Sequence, residues 1–254
     1  MVINNGFASF LLSLFRAKSR EFLPLRRIQY SPSPPIPELD FWVHPEDDHY
    51  LAFKSGDFNR WEEDVLKKFV ELARKSNIFL DIGGYGGIYS VIAAKVNANL
   101  QIFTAEPNKH MIPILRENLG CENNIEILQF GFSEVCGEAW LVSPRNRRFS
   151  SASFVEELNE YINCMYYSKQ RIILHSLDCS FLPSKIRDVD LIKVDAEGFE
   201  TQIICGGTNL LKQKPNLLIE SNSNILKVEL ISLLKTFGYR SFDNFTTDRM
   251  FLAY

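Results

Sequence analysis

The chain lacks most of the features that identify a protein quickly. It has no apolar run of the roughly 18–20 residues that a membrane-spanning helix needs. Its five cysteines, Cys121, Cys136, Cys164, Cys179 and Cys205, are odd in number and form no C-x-x-C pair. That argues against a disulfide framework or a zinc site and for reduced thiols in a cytoplasmic protein. Its four histidines, His44, His49, His110 and His175, form no H-E-x-x-H pattern. There is no internal repeat and no G-K-[ST] of a phosphate-binding loop. The dinucleotide fingerprint G-x-G-x-x-G is absent too. Begun at Gly83 it meets Tyr85 and Ile88, and begun at Gly84 it meets Tyr89, where glycines are required. Net charge is only −3, so no polyanionic partner, nucleic acid included, is expected.

What remains is an ordinary globular composition, 46% hydrophobic and 23% charged over 254 residues, enough for one large α/β domain. Charge is uneven. Residues 1–30 carry Arg16, Lys18, Arg20, Arg26 and Arg27 against Glu21, a local +4 that leaves −7 for the remainder. Within this segment "GFASFLLSLF" (Gly6–Phe15) has no preceding positive charge and no following A-x-A-like site, so it does not read as a signal peptide. It is expected to be a helix packed on the domain or on a second copy in a homodimer. The alternative is an interfacial helix making peripheral contact with a membrane through residues 1–30. "SPSPPIP" (Ser31–Pro37) reads as an extended linker. The expected division is an extension and linker at 1–37 and one catalytic domain at 38–254.

"FWVHPEDDHYLAF" (Phe41–Phe53) suggests two short strands around an acidic turn. Trp61–Lys75 reads as a helix with an apolar stripe of Val65, Leu66, Phe69, Val70 and Leu72. Strands and helices then alternate. Expected strands are Ile78–Ile82, Leu100–Ala105, Ile125–Phe130, Leu191–Val194 and Leu217–Glu220. Expected helices are Ile88–Lys95, Lys109–Leu119, Phe199–Leu211 and Ile225–Phe237. Near-continuous apolar strands separated by helices predict a doubly wound, mostly parallel sheet. The tail "YRSFDNFTTDRMFLAY" predicts an antiparallel C-terminal hairpin. An insert at Arg145–Tyr167 breaks the rhythm, beginning polar and basic and continuing helical.

"DIGGYGG" (Asp81–Gly87) occupies the turn after the first sheet strand, where ligands bind in such folds. Asp81 would repel a pyrophosphate and suits a cationic ligand. S-adenosylmethionine carries an ammonium and a sulfonium. Glu106 ends the second strand, about 20 residues on, where an acid can accept both hydroxyls of a ribose. Each acid alone could be a helix cap or a surface ion pair; both in register at strand ends argue for a site.

These motifs resemble the FkbM family of class I S-adenosylmethionine-dependent methyltransferases. Its first motif, D-[IV]-G-A-N-x-G, is similar to "DIGGYGG", with departures at Gly84 and Tyr85. Its "EPN" corresponds to Glu106, Pro107 and Asn108, and its K-[IV]-D-[VA]-E-G-x-E to "KVDAEGFE" (Lys193–Glu200). A following G…L…P…E corresponds to Gly206 or Gly207, Leu210, Pro215 and Glu220, and a W-E to Trp61 and Glu62. The resemblance covers about residues 58–254. It implies a Rossmann-like fold and cofactor contacts from Glu62, Asp81, Gly83, Tyr85, Gly87, Glu106, Pro107 and Asp195. It also implies O-methylation of a small-molecule or glycan hydroxyl. No N-P-P-[YF] or catalytic P-C motif points to nucleic-acid methylation.

Methyl transfer is an in-line displacement with reacting atoms about 3–3.5 Å apart, and a hydroxyl acceptor must lose a proton. Glu197, Asp195 and His175 are the candidate bases, Glu197 first. Glu200, one turn further on, reads as a structural acid at a helix start. Lys193 reads as a partner for a carboxylate. A competing scheme has Asp195, Glu197 and Glu220 ligating Mg²⁺. Rivals from other classes are a catalytically inactive interaction module of the same fold and an NAD-dependent oxidoreductase. The glycine spacing and Asp81 together predict calorimetric binding of S-adenosylmethionine or its demethylated product and no binding of NAD. Tight NADH binding without response to the adenosyl ligands would remove this reading.

Overall fold

The structure, a computed structural model, describes residues 25–45, 58–120, 124–144, 153–155, 167–246 and 249–254, with backbone alone at 58–62, 143–144, 153–155 and 167–168. The basic segment before residue 25, the acidic turn of residues 46–48 and the basic loop at 145–148 lie outside the described residues.

The described chain begins with a hairpin. Strand β1 (Arg26–Tyr30) runs antiparallel to β2 (Leu39–Val43), with Tyr30 opposite Leu39. The proline stretch expected as a linker is therefore the connection of this hairpin, and Ile36 within it is buried. The expected boundary at residue 37 falls inside that connection. Proline fixes φ but does not prevent a turn back, and Leu39, Phe41 and Val43 form an alternating inward face that needs cover. Asn118 pins the hairpin: it accepts from Trp42 N at 2.6 Å and donates to Trp42 O at 2.9 Å.

Helix α1 (Phe58–Ala73) follows. It buries Val65, Leu66, Phe69, Val70 and Ala73. Leu72, expected in the stripe, is only partly buried because the 3.6-residue period turns Ala73 inward instead. The central elements come next: β3 (Ile78–Ile82), α2 (Ile88–Val96), β4 (Gln101–Ala105), α3 (Ile112–Leu119) and β5 (Ile125–Leu128). After the small sheet described below come β10 (Leu191–Val194), α4 (Glu200–Cys205), β11 (Asn216–Glu220), α5 (Asn224–Thr236), β12 (Phe242–Asn244) and β13 (Met250–Ala253). Several limits differ from expectation, most of them by one to three residues. Strand β5 stops at Leu128. The helix expected over Phe199–Leu211 ends at Cys205 and is followed by a 3-10 turn at Leu210–Gln213. The break falls at Gly206, where a Cβ would collide with the carbonyl of Ser133.

The sheet has seven strands in the order β12-β13-β11-β10-β3-β4-β5. The five from β11 to β5 are parallel, and the C-terminal hairpin adds two antiparallel strands. Alternation along each strand feeds two cores. Phe79, Ile102, Leu191 and Leu218 face α1, α2, α3 and the N-terminal hairpin. Leu80, Ile82, Phe103, Ile192 and Val194 face α4 and α5. The chain winds outward from β3 to β5 and returns to β10 on the other side of β3. The carboxyl ends of β3 and β10 thus form the topological switch, where such sheets bind ligands.

A second sheet was not expected. Strands β6 (Gly131–Phe132), β7 (Gly137–Pro144), β8 (Ser153–Val155) and β9 (Tyr167–His175) pair in the order β6-β9-β7-β8. Ser153–Val155, in the insert expected to turn helical, is strand; residues 156–166 lie outside the described residues. No helix among the described residues is long and apolar enough to cross a membrane.

Deleting residues 1–37 would strip β1 from β2 and leave an unpaired edge over the first core. Such a chain should unfold at a lower temperature than one lacking only residues 1–24, by about 2–4 °C for each kcal/mol lost. Equal melting temperatures by circular dichroism would show that the hairpin does not support the domain.

Candidate active site

One polar row crosses three strands in the middle of the sheet. Lys193 on β10 lies opposite Asp81 on β3, and Asp81 lies opposite Thr104 on β4. All three are buried, Asp81 at 1% exposure and Lys193 at 3%. Ser90 of α2 closes the row from above, 2.7 Å from both Asp81 Oδ2 and Thr104 Oγ1. Lys193 Nζ lies 3.7 Å from Asp81 Oδ1 and 3.0 Å from Asp195 Oδ2. It also approaches the Gly83 carbonyl at 3.4 Å and stands 4.9 Å over the Tyr89 ring. Burial raises the Asp81 carboxyl, against the pull of Lys193 and Ser90. Asp81 Oδ1 has no hydrogen-bond partner within the protein.

The glycine loop works differently from the sequence argument. Gly83, at φ +76°, is required by the protein itself, since a Cβ there would collide with the Asp195 carbonyl. At Gly87, with φ +88°, a Cβ would lie 2.7 Å from Leu115. These glycines let β3 and α2 pack against their neighbours. The loop amides are also committed inside the protein. Gly83 N and Gly84 N both donate to Ala105 O, Gly87 N to Gly84 O, and Tyr85 N to Glu106 Oε2. Four amides spent in this way cannot cradle a pyrophosphate. Tyr85 has φ +49°, a left-handed conformation that asparagine tolerates better. That explains the asparagine of the similar family motif.

Glu106 is buried, and desolvation raises it to about 7. Its Oε2 accepts from Tyr85 N and its Oε1 from Asn108 N, each at 2.8 Å. These bonds fix the carboxyl plane and leave each oxygen a further lone pair. Pro107 stands between Glu106 and its partner Asn108 in sequence. Asn108 Oδ1 accepts from Gln170 Nε2 at 3.0 Å, and Lys109 N donates to Gln170 Oε1 at 3.2 Å. Gln170 on β9 thus docks the small sheet onto this loop. Sequence reasoning missed Ser90, Thr104 and Gln170. Hydroxyl and amide residues on apolar elements carry no local signal until strand register brings them together.

Beyond β10 the acids gather. Glu197 has φ +50° and the following Gly198 φ +102°. An outlying backbone at the mouth of a crevice is a mark of functional sites. Glu197 is accessible as a residue, yet desolvation first, then the charges of Asp195 and Glu200, raise its carboxyl to about 7. Glu220, at the end of β11, is hydrogen-bonded to Asp195 and raised to about 9, chiefly by burial and then by Asp195. Asp195 acts in the same direction as burial, since two adjacent carboxylates resist joint ionisation. Glu200 accepts from Ala196 N at 3.0 Å and Gly198 N at 3.1 Å through Oε1. It shapes the turn that presents Glu197, as expected of a structural acid.

One expected residue has no described contact with these acids, and another cannot be placed by its side chain. His175 ends β9 in the small sheet, with Phe130 edge-on at 4.6 Å and Cys179 Sγ 3.5 Å from Nδ1. Glu62 lies on α1, and its side chain is outside the described residues. Nor do Asp195, Glu197 and Glu220 form a set of converging metal donors. Among the described residues the trio whose donor atoms approach within 4.8 Å is Cys136, His175 and Cys179.

Comparison with known families gives a match to the methyltransferase FkbM domain over residues 81–241. Solved structures are similar at lower identity. A putative caffeoyl-CoA O-methyltransferase from Staphylococcus aureus is 15% identical, with 83% of this chain and 93% of that one covered, at a TM-score of 0.43. The N-methyltransferase NodS from Bradyrhizobium japonicum WM9 is 11% identical, with 78% and 96% covered, at 0.45. The precorrin-6y C5,15-methyltransferase from Geobacter metallireducens GS-15 is 15% identical, with 74% and 88% covered, at 0.43. Comparison with curated proteins finds no match.

The raised carboxyl of Glu220 has a stability consequence. Folded, it holds its proton up to about 9; unfolded, it releases it near 4.3. The folded state binds the extra proton between those values, so this group lowers stability as pH rises through that window. Glu220→Gln removes the titration. Urea denaturation should find the variant close to wild type near pH 5 and more stable by about 1 kcal/mol or more near pH 8.5. A constant difference across that range would contradict the raised Glu220 carboxyl.

Proposed function

The chain belongs to the FkbM methyltransferase family, and from that premise we propose that it is an O-methyltransferase acting on a hydroxyl of a small-molecule or glycan acceptor, with Glu197 as general base. Membership implies S-adenosylmethionine as the methyl donor. When bound, the donor supplies a methyl on a cationic sulfur.

The residues at the switch point fit such a ligand. Asp81 Oδ1 is ion-paired with Lys193 but accepts no hydrogen bond from the protein, and Glu106 is held rigid with lone pairs to spare. In this reading Glu106 takes the ribose hydroxyls, and Asp81 and Asp195 set a negative field for the cationic end. Gly83, Tyr85 and Gly87 shape the loop that covers it, and Pro107 fixes the Glu106 turn.

The observation that carries the proposal is Glu197. Its left-handed backbone turns it outward from the end of β10, beside Asp195 and Glu200. A carboxyl near 7 is suited to accept a proton at neutral pH, far better than an ordinary glutamate near 4.3. A hydroxyl acceptor needs that service, and the carboxyl offers it without a metal. The Mg²⁺ scheme has less support, because Asp195, Glu197 and Glu220 are not among the described groups whose donor atoms converge within 4.8 Å. His175 has no described contact with this cluster and is not the favoured base.

The test separates binding from chemistry. Glu106→Ala should weaken cofactor affinity by roughly 1.5–3 kcal/mol and change turnover at saturating cofactor little, because uniform binding does not speed the chemical step. Glu197→Gln should keep affinity and lower kcat by about 10²-fold or more. In the wild type kcat should rise through about pH 7 as Glu197 loses its proton. If Glu197→Gln loses cofactor binding and keeps turnover, Glu197 belongs to the cofactor site. A screen of hydroxylated metabolites and glycans with labelled methyl donor supplies the acceptor for these measurements.

A further inference from the structure

Away from the acidic edge, three side chains with soft donor atoms meet at the rim of the small sheet. Cys136 lies just ahead of β7, in the turn from β6. His175 ends β9, and Cys179 stands in the turn that follows. The two Sγ atoms and a ring nitrogen of His175 lie within 4.8 Å of one another. Cys179 Sγ is 3.5 Å from His175 Nδ1. Tetrahedral zinc, with Zn–S near 2.3 Å and Zn–N near 2.0–2.1 Å, sets a thiolate sulfur and an imidazole nitrogen about 3.5 Å apart. The observed separation, here a thiol–imidazole hydrogen bond, equals the edge of such a tetrahedron.

The backbone holds the three in place. Phe132 on β6 pairs with His175 on β9, and Ser133 N donates to His175 O at 2.9 Å. Cys179 N donates to Ser176 O at 3.0 Å, turning its side chain back toward the strand. Phe130 packs edge-on against the His175 ring. Cys136 is exposed while Cys179 is buried, so one corner of the tetrahedron opens to solvent.

We propose that Cys136, His175 and Cys179 form a binding site for a soft or borderline divalent cation, zinc foremost, with three protein ligands and a water in the fourth position. Two sulfurs and an imidazole select such ions over Mg²⁺ and Ca²⁺, which take oxygen donors. The site ties the turn between β6 and β7 to the exit of β9. It stands apart from the carboxyls of the candidate active site and does not depend on the methyl-transfer reading. The spacing that argued against zinc in the sequence misleads because strand pairing, not a local motif, gathers the ligands.

The test uses the full chain, stripped of metal and kept reduced with a phosphine. One equivalent of Co²⁺ should give a near-ultraviolet thiolate-to-cobalt charge-transfer band and the visible bands of a tetrahedral ion. One equivalent of Zn²⁺ should bleach both. Cys136→Ser changes an exposed side chain, so the fold should be retained by circular dichroism. It should abolish the charge-transfer intensity and weaken Zn²⁺ binding at least about 100-fold, beyond the loss typical of an outer-shell change. Zn²⁺ should raise the melting temperature of the wild type and not of Cys136→Ser. A Cys121→Ser/Cys164→Ser double variant should behave as wild type. Absence of the charge-transfer band in the wild type, or its survival in Cys136→Ser, overturns the proposal.

Discussion

Lys193 reaches Asp81 and Asp195 from inside the sheet, with only 4% of its side chain exposed. A cation so deeply buried persists only if its partners stay in place. Removing one partner of a buried pair typically costs about 3–5 kcal/mol, because the other charge is left uncompensated. The register of β10 on β3 is what sets Lys193 beside Asp81. The same contact brings the end of β10 so close to the loop after β3 that only glycine fits at position 83. Strand register, loop conformation and the position of Asp195 are therefore one coupled arrangement.

That arrangement concentrates carboxyl groups where the sheet changes direction. Asp81, Glu106, Glu197, Glu200 and Glu220 are all raised, and burial is the largest cause in each. Lys193 and Arg249 oppose the rise at Glu197 without cancelling it. A crevice of reluctant carboxyls favours a cationic occupant, whose charge would lower their proton affinity as it binds. The field thus argues for the same cofactor class as the family.

The rim is held by amide side chains as well as by apolar contact. Asn118 joins the N-terminal hairpin to the glycine loop, donating to both Trp42 O and Gly86 O. Gln170 joins the small sheet to the Glu106 turn. Each tie is directional, so each sets the orientation of a loop more tightly than packing would. The hairpin and the small sheet lie outside the Rossmann-like winding, yet both end on loops that frame the candidate site.

Local patterning alone was enough to set the winding. Period-two apolar strands and period-3.6 helices are local patterns, and β3 and β10 begin and end at the expected residues. Asp81, Glu106, Asp195 and Glu197 were legible because strand ends have a known place in a doubly wound sheet. What those residues touch was set by the folded sheet. The loop glycines pack against protein, the proline stretch turns back as a hairpin, and His175 joins two cysteines instead of the acids. Ser90, Thr104 and Gln170 gained their roles the same way. Each of these outcomes depends on contacts between residues far apart in the chain. Local propensity carries no record of such contacts, since register and burial are settled only when the whole sheet closes.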